Sequence, residues 1–382
     1  ARVLDAWSKA EPELDHDSTS TKYLLDAISL QRDIEPEDQA ALLDSLVMLT
    51  KSLYRQRRFE ESLPFFLERL TIERELLGEK DTKTLSTMFI TGWILIRLDQ
   101  ADKARPLLEE CLNTRRQVLG DEHPQTLEVV HHMGRLFRKL GEHEVARSFF
   151  EESIQGRRRV LGKNHLDTLS SVRNLGNMLK DLKEYNEATR FCKECVEICR
   201  SIYGREHEET VKSLRILGSL LITQKRYEEA LPCYREAMEI RTRVLGSEHP
   251  DTLSTVNSMG YFFAKSGNHE QARQYYEKAL ETLRIVMGNE HSKTIMTLNN
   301  LGITLRTLGE YAQSMACLEE VLSVRKSVHG LASPKTVGAM RQLVELYDAW
   351  HEADPGGGHN AKAAEYRQLI ESTAANTDSL EP

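Results

Sequence analysis

Leu245-Gly246-Ser247-Glu248-His249-Pro250-Asp251-Thr252-Leu253 is the stretch whose reading decides the fold. It is a polar loop that opens a helix. Pro250 stands where a helix tolerates proline best, in its first turn, where the missing N–H had no partner anyway. Asp251 and Thr252 offer side-chain oxygens to the exposed N–H groups of that turn. The helix opened here, helix A, is expected to end near Lys265-Ser266-Gly267-Asn268, and Gly141 and Gly309 mark equivalent ends by the left-handed preference of helix C-termini. A second helix, B, is expected from about Glu270 to Val286.

Working outward, the same unit recurs. Gly78, Gly120, Gly162, Gly204, Gly246, Gly288 and Gly330 follow one another every 42 residues without insertion or deletion. A second glycine column holds that spacing at Gly92, Gly134, Gly176, Gly218, Gly260 and Gly302, and a threonine column at Thr84, Thr126, Thr168, Thr210, Thr252, Thr294 and Thr336. Ala104, Ala146, Ala188, Ala230 and Ala272 hold one small position of helix B that lets helix A approach, and the Gly134 column does the reciprocal job on helix A. Phe149, Phe191, Tyr275 and Tyr276 are expected to fill the space between units. One such hairpin cannot bury its apolar stripe, whereas a stack of them buries a continuous one. The fold expected is all-α, a right-handed superhelical solenoid of helix-turn-helix repeats. Residues 1–36 are expected to form N-terminal capping helices, 37–330 seven repeats, 331–372 a degenerate closing repeat with an enlarged Pro355-Gly356-Gly357-Gly358 loop, and 373–382 a disordered tail.

The residues that carry a resemblance are the small-large pairs such as Gly134 and Ala146, the aromatics Tyr185 and Tyr227 before helix B, the loop quoted above, Leu298-Asn299-Asn300-Leu301-Gly302 and Tyr227-Glu228-Glu229-Ala230-Leu231-Pro232. Together these resemble the tetratricopeptide repeat (TPR), specifically its 42-residue kinesin-light-chain variant, over about residues 37–350. The resemblance implies a concave face lined by helix A that holds extended peptides, with asparagines on peptide main chain and acidic tryptophan-containing motifs as one ligand class. Residues 1–36 are too short for the long heptad coiled coil of kinesin light chains, so binding to kinesin heavy chain is not implied.

With helix A on the groove, register gives the exposed stripe. Positions three before, one after and four after the helix-A glycine share a face. They collect Phe89, His131, Arg173, Arg215, Asn257 and Asn299; then Trp93, Arg135, Asn177 and Tyr261; then Arg138 and Lys180. Lys212 adds a cation six positions before the glycine, and Asn174 and Asn300 add amides that pair a peptide backbone at donor and acceptor. Basic residues converging on a concave surface suit carboxylates or phosphates. Trp93, Phe89 and Tyr261 flank them and are expected to take apolar side chains. His131 and His132 are expected to face the groove region and to offer pH sensitivity. The alternative is scattered, solvated surface charge.

The net charge of −8 speaks against general nucleic-acid binding. No apolar run approaches a membrane span, Ala1 to Lys9 lack a secretory signal, and six cysteines without a framework read as reduced thiols, so an intracellular, cytoplasmic address is expected. Cys192, Cys195 and Cys199 share one helix B but have no fourth ligand at metal spacing. His123, His165, His207, His249 and His291 recur one repeat apart, too far for one ion, and read as helix-start residues. No phosphate loop, His-Glu-x-x-His pair or nucleophile elbow occurs. Neither catalysis nor a cofactor or metal is expected. The function expected is a protein–protein interaction scaffold or adaptor binding an extended, acidic peptide. The alternatives are a structural subunit of a larger complex acting through its convex face, and a regulatory module of a longer protein.

Overall fold

The computed structural model describes residues 18–34 and 39–378. Among them are seventeen helices and no strand. The chain divides into two compact units, up to Ile202 and from Tyr203. Unit 1 runs α1 (Ser18–Ile34), α2 (Gln39–Arg55), α3 (Phe59–Leu77), α4 (Thr82–Arg97), α5 (Ala101–Leu119), α6 (Pro124–Leu140), α7 (His143–Leu161), α8 (Leu166–Asp181) and α9 (Tyr185–Tyr203), whose last residue opens unit 2. Unit 2 continues with α10 (Glu208–Thr223), α11 (Tyr227–Leu245), α12 (Pro250–Lys265), α13 (His269–Met287), α14 (Ser292–Thr307), α15 (Tyr311–His329), α16 (Pro334–Ala353) and α17 (His359–Asp378). Each unit is a stack of helical hairpins, the all-α solenoid construction expected.

Each sequence column has a physical task. The ruler glycine ends helix B with positive φ, 89° at Gly246, a conformation an L side chain resists. The threonine that follows is buried and returns its hydroxyl to that helix end: Thr168 Oγ1 donates to the Gly162 carbonyl at 3.0 Å and Thr294 Oγ1 to Gly288 at 2.8 Å. These bonds occupy carbonyls that the helix terminus leaves open. The histidine column caps the next helix A, with His249 Nδ1 accepting from the Asp251 N–H at 3.1 Å, as His123, His165, His207 and His291 do in turn. A neutral ring is required for that bond.

The hairpin core follows from the second glycine column. A Cβ on Gly134 would stand 2.8 Å from the Phe150 ring, and one on Gly260 would stand 2.6 Å from Tyr276. Ala104, Ala146, Ala188, Ala230 and Ala272 on the facing helix are wholly buried. Tyr276 and Phe191 are in the core as expected, whereas Phe149 is half-exposed and stacks on Phe137 at 5.5 Å. Buried arginines then lock one repeat to the next. Arg115, Arg157 and Arg241 each donate at 2.7 Å to a first-turn carbonyl of the following helix A, those of Gln125, Asp167 and Asp251.

At the ends, α1 covers much of the N-terminal segment expected to cap the array; residues 1–17 and 35–38 lie outside the described residues. At the other end α17 runs to Asp378, past Thr373, where a disordered tail was expected to begin. Ala374 and Ala375 favour helix more than polarity disfavours it. Residues 379–382 lie outside the described residues.

Candidate functional site

Helices A of successive repeats touch one another directly: α4 with α6 and α6 with α8 in unit 1, α12 with α14 and α14 with α16 in unit 2. Unit 1 carries a cleft of about 470 Å³ on this face, lined by Ile96 and Arg97 of α4, Arg135, Arg138 and Lys139 of α6, and Asn174 of α8. All three helices are A helices.

Two of its cations are answered. Arg138 Nη2 pairs with Asp181 Oδ2 at 3.0 Å, and Lys139 Nζ with Asp99 Oδ1 at 2.5 Å while also capping the Ile96 carbonyl. Arg135 has no carboxylate partner among the described residues. Burial holds its pKa below the usual arginine range, and repulsion from Arg97 and Arg138 adds to that; it stays a cation. Arg97 is exposed, lies 5.7 Å over the Phe59 ring and 5.6 Å over Trp93, and likewise has no carboxylate beside it among the described residues. Tyr54, Phe59 and Trp93 form a half-buried aromatic cluster with centroids 5.2–5.7 Å apart. Asn174 spends one N–H on the Ser170 carbonyl at 2.8 Å.

Other expected residues are placed differently. Phe89 is 1% exposed and packs edge-on to His132 at 5.0 Å with Arg115 over its ring, so it is core and no ligand wall. His131 is 4% exposed, with Nδ1 3.0 Å from Ser171 Oγ in a buried network with Ser153 and Arg157. Burial, with positive neighbours behind it, drives the pKa of His131 and His132 well below the ordinary histidine value. Both rings stay neutral and off the groove, which corrects the expectation of a groove pH switch. Arg173 is half-buried and directs Nη2 to Cys199 Sγ at 3.7 Å. Asn177 is half-buried and Lys180 exposed on α8, neither in the cleft. Arg97 and Lys139 were missed. They stand five positions after the helix-A glycine, one step beyond the stripe, and the column was legible.

Unit 2 has its own version of this face. Lys212 is exposed and pairs with Glu209 at 2.9 Å, a local helix-surface pair. Arg215 is half-buried, donates to Ser258 Oγ at 3.3 Å, and has its pKa lowered by burial and by Arg241. Asn257, 6% exposed, accepts from Asn300 Nδ2 at 3.4 Å and is too deep to serve a ligand as expected. Asn299 is half-buried with an unpaired Oδ1, and Tyr261 is exposed beneath Lys265 at 5.6 Å.

Among the described residues no group of three or more His, Cys, Asp or Glu is poised for a metal ion. Burial pushes the Cys111 thiol up to about 11 and the Cys195 thiol up to about 12. No described helix is long and apolar enough to cross a membrane.

The sequence pattern of the tetratricopeptide repeat matches residues 43–117, 94–159, 128–191, 167–243, 213–285 and 251–327. The chain belongs to the tetratricopeptide repeat family. Its units repeat every 42 residues, the period on which the resemblance to the kinesin-light-chain variant rests. Solved TPR structures share the fold. A signal-transduction ATPase with a tetratricopeptide repeat sensor from Pyrococcus horikoshii is 14% identical over 94% of this chain and 54% of its own, with a TM-score of 0.56. BtubC (BKLC) from P. vanneervenii is 18% identical over 62% of this chain and 92% of its own, with a TM-score of 0.51. Nearly identical TPR-like repeats from a Podosopora anserina protein described as a kinesin light chain are 20% identical over 55% of this chain and 99% of that one, at 0.48. No curated protein matches the chain. At these identities the likeness concerns the fold. TPR arrays generally mediate protein–protein interactions through extended surfaces and lack an enclosed catalytic pocket.

Proposed function

We propose that this TPR protein is an interaction scaffold that captures an extended, acidic peptide segment of a partner in the helix-A cleft of unit 1. The observation that supports it is the pair of unanswered guanidiniums, Arg97 and half-buried Arg135, on a protein whose net charge is −8. An isolated, partly desolvated cation is unfavourable until an anion arrives, and an acidic chain supplies one at close range. The aromatic cluster of Tyr54, Phe59 and Trp93 next to Arg97 supplies apolar surface for a neighbouring side chain.

The test is affinity for an Asp/Glu-rich peptide library, wild type against Arg97→Glu/Arg135→Glu, at matched helicity. A loss of about 100-fold, with a shallower salt dependence in the variant, is expected from removing charge-assisted bonds. Unchanged affinity sinks the reading.

A second reading, a structural subunit acting through another surface, is favoured by one column. Leu76, Val118 and Val160 in unit 1, and Val244, Val286 and Val328 in unit 2, leave apolar side chains exposed near the ends of helices B, and Ile285 is 81% exposed. Polar substitution there with loss of assembly, and retention after the arginine changes, identifies that case.

A further inference from the structure

We propose that the unit 1 cleft is a phosphomonoester site, taking a phosphorylated side chain of the captured peptide in preference to glutamate or aspartate. The inference rests on the peptide-capture reading and supplies its ligand chemistry. The fixed charges make the case. Arg97, Arg135, Arg138 and Lys139 line one cleft. Asp181 answers Arg138 at 3.0 Å and Asp99 answers Lys139 at 2.5 Å. Arg97 and Arg135 are left over, so the cleft is short of two negative charges among the described residues.

A carboxylate fills half of that deficit. A phosphomonoester brings about −1.5 to −2 charges at neutral pH and three strong acceptor oxygens. Guanidinium forks bind such oxygens two at a time, which a single carboxylate cannot repeat on two arginines at once. Arg135 gains most: repulsion from Arg97 and Arg138 acts on it while it is half-buried, and a dianion between these groups turns that repulsion into shared attraction. Arg97 lies over Trp93 and Phe59, so it can turn its N–H groups to an oxygen while keeping an aromatic face beneath it. Asn174 retains an amide oxygen and one N–H for the peptide main chain. A space of about 470 Å³ admits the phosphorylated side chain with part of the backbone on either side.

The full chain would be tested against three degenerate nine-residue peptide libraries, identical except for serine, glutamate or phosphoserine at the centre. Retention of the phosphoserine library about ten-fold above the glutamate library is expected from doubly charged, bidentate recognition. Arg97→Gln and Arg135→Gln should each collapse that ratio towards one, while Arg116→Gln, in the helix-B ion-pair ladder, should leave it intact. If Arg135→Gln loses helicity, Arg97→Gln, at an exposed position, carries the test. Trp93 emission should shift with the phosphoserine library, because Arg97 sits on that ring. Equal retention of the glutamate and phosphoserine libraries overturns the phosphate preference and leaves acidic-peptide capture standing. Retention of neither above serine removes both. A preference that survives Arg97→Gln and Arg135→Gln puts the phosphate elsewhere and overturns the site. Displacement by inorganic phosphate at the same concentration as phosphoserine peptide overturns the peptide-borne source in favour of free phosphate.

Discussion

The helix-A faces of the two units use one register with different arrangements of charge. In unit 1 the face is cationic, with Arg97, Arg135, Arg138 and Lys139 around a cleft, above buried His131 and His132. In unit 2 the same register holds Asn257 and Ser258, then Asn299 and Asn300, and its cations are spread and mostly answered: Arg215 donates to Ser258, Arg306 pairs with Glu345 and Lys212 with Glu209, while Lys265 lies over Tyr261. The backbone frame repeats, while charge is clustered in one place. One repeat frame can thus carry clustered cations in one unit and dispersed, mostly paired ones in the other without altering its repeat.

The largest expected break in this comparison is acid stability. His131 and His132 are buried with folded pKa values well below the ordinary one. A base with a depressed folded pKa binds its proton better in the unfolded chain, so stability is full above the unfolded value, near 6.5, and falls as pH drops below it. Each histidine that stays neutral in the folded chain removes on the order of 1 kcal/mol per pH unit below that value. Hydrogen exchange should show α6 losing protection between pH 7 and 5.5 while α12, with Asn257 in that register, holds. His131→Asn/His132→Ile, which copies residues found in these columns, should flatten the dependence; an unchanged slope removes the histidines as its cause.

The same columns show what the sequence discloses and what it hides. The period, the hairpins and the tasks of glycine and threonine are legible because backbone geometry imposes them identically in every unit: a positive φ at Gly246, a hydroxyl returned to a carbonyl at Thr168. The site is legible only by half. Phe89 and His131 share a register position with Arg173 and Arg215, but the two rings are buried in the core whereas both arginines stay half-buried. Register therefore locates Arg135 and Arg138 and mislocates Phe89 and His131. Ion pairing between helices is also invisible to spacing: Arg138 is spoken for by Asp181 on the next helix A, and only the folded chain leaves Arg97 and Arg135 over.

A smaller effect separates one hairpin core of unit 1, at Gly176, from the tighter one at Gly260 in unit 2. A Cβ at Gly260 meets the Tyr276 ring at 2.6 Å, whereas one at Gly176 meets the Phe191 Cβ at 3.2 Å. Gly→Ala within a helix gains about 1 kcal/mol in propensity, and overpacking costs about 1–3 kcal/mol. Gly260→Ala should lower stability by about 1 kcal/mol, and Gly176→Ala should be neutral or stabilising by about 0.5 kcal/mol. Denaturant midpoints of the two variants compare them directly; equal losses would mean that the close approach of α12 and α13 is not what selects glycine.

The smallest effect concerns the outer helices. In unit 1 arginines of successive helices B reach acids of the next: Arg32 to Glu68, Arg74 to Glu110, Arg116 to Glu152 and Arg158 to Glu194. Unit 2 keeps Arg284 to Glu320 at 2.7 Å, but at the equivalent earlier positions stand Thr242 and Lys278, both exposed. Arginine and acid are thus missing together, and no unpaired charge of the ladder is stranded there. Thr242→Arg/Lys278→Glu should install the missing rung and stabilise unit 2 by about 0.3–0.5 kcal/mol at low salt, with the gain fading at 1 M salt because exposed pairs are screened. Each single change should give nothing or a slight loss. A double-mutant cycle that returns no coupling would show that the ladder in unit 1 is a surface decoration as well, and that the stacking of its repeats rests on the buried arginines Arg115 and Arg157 instead.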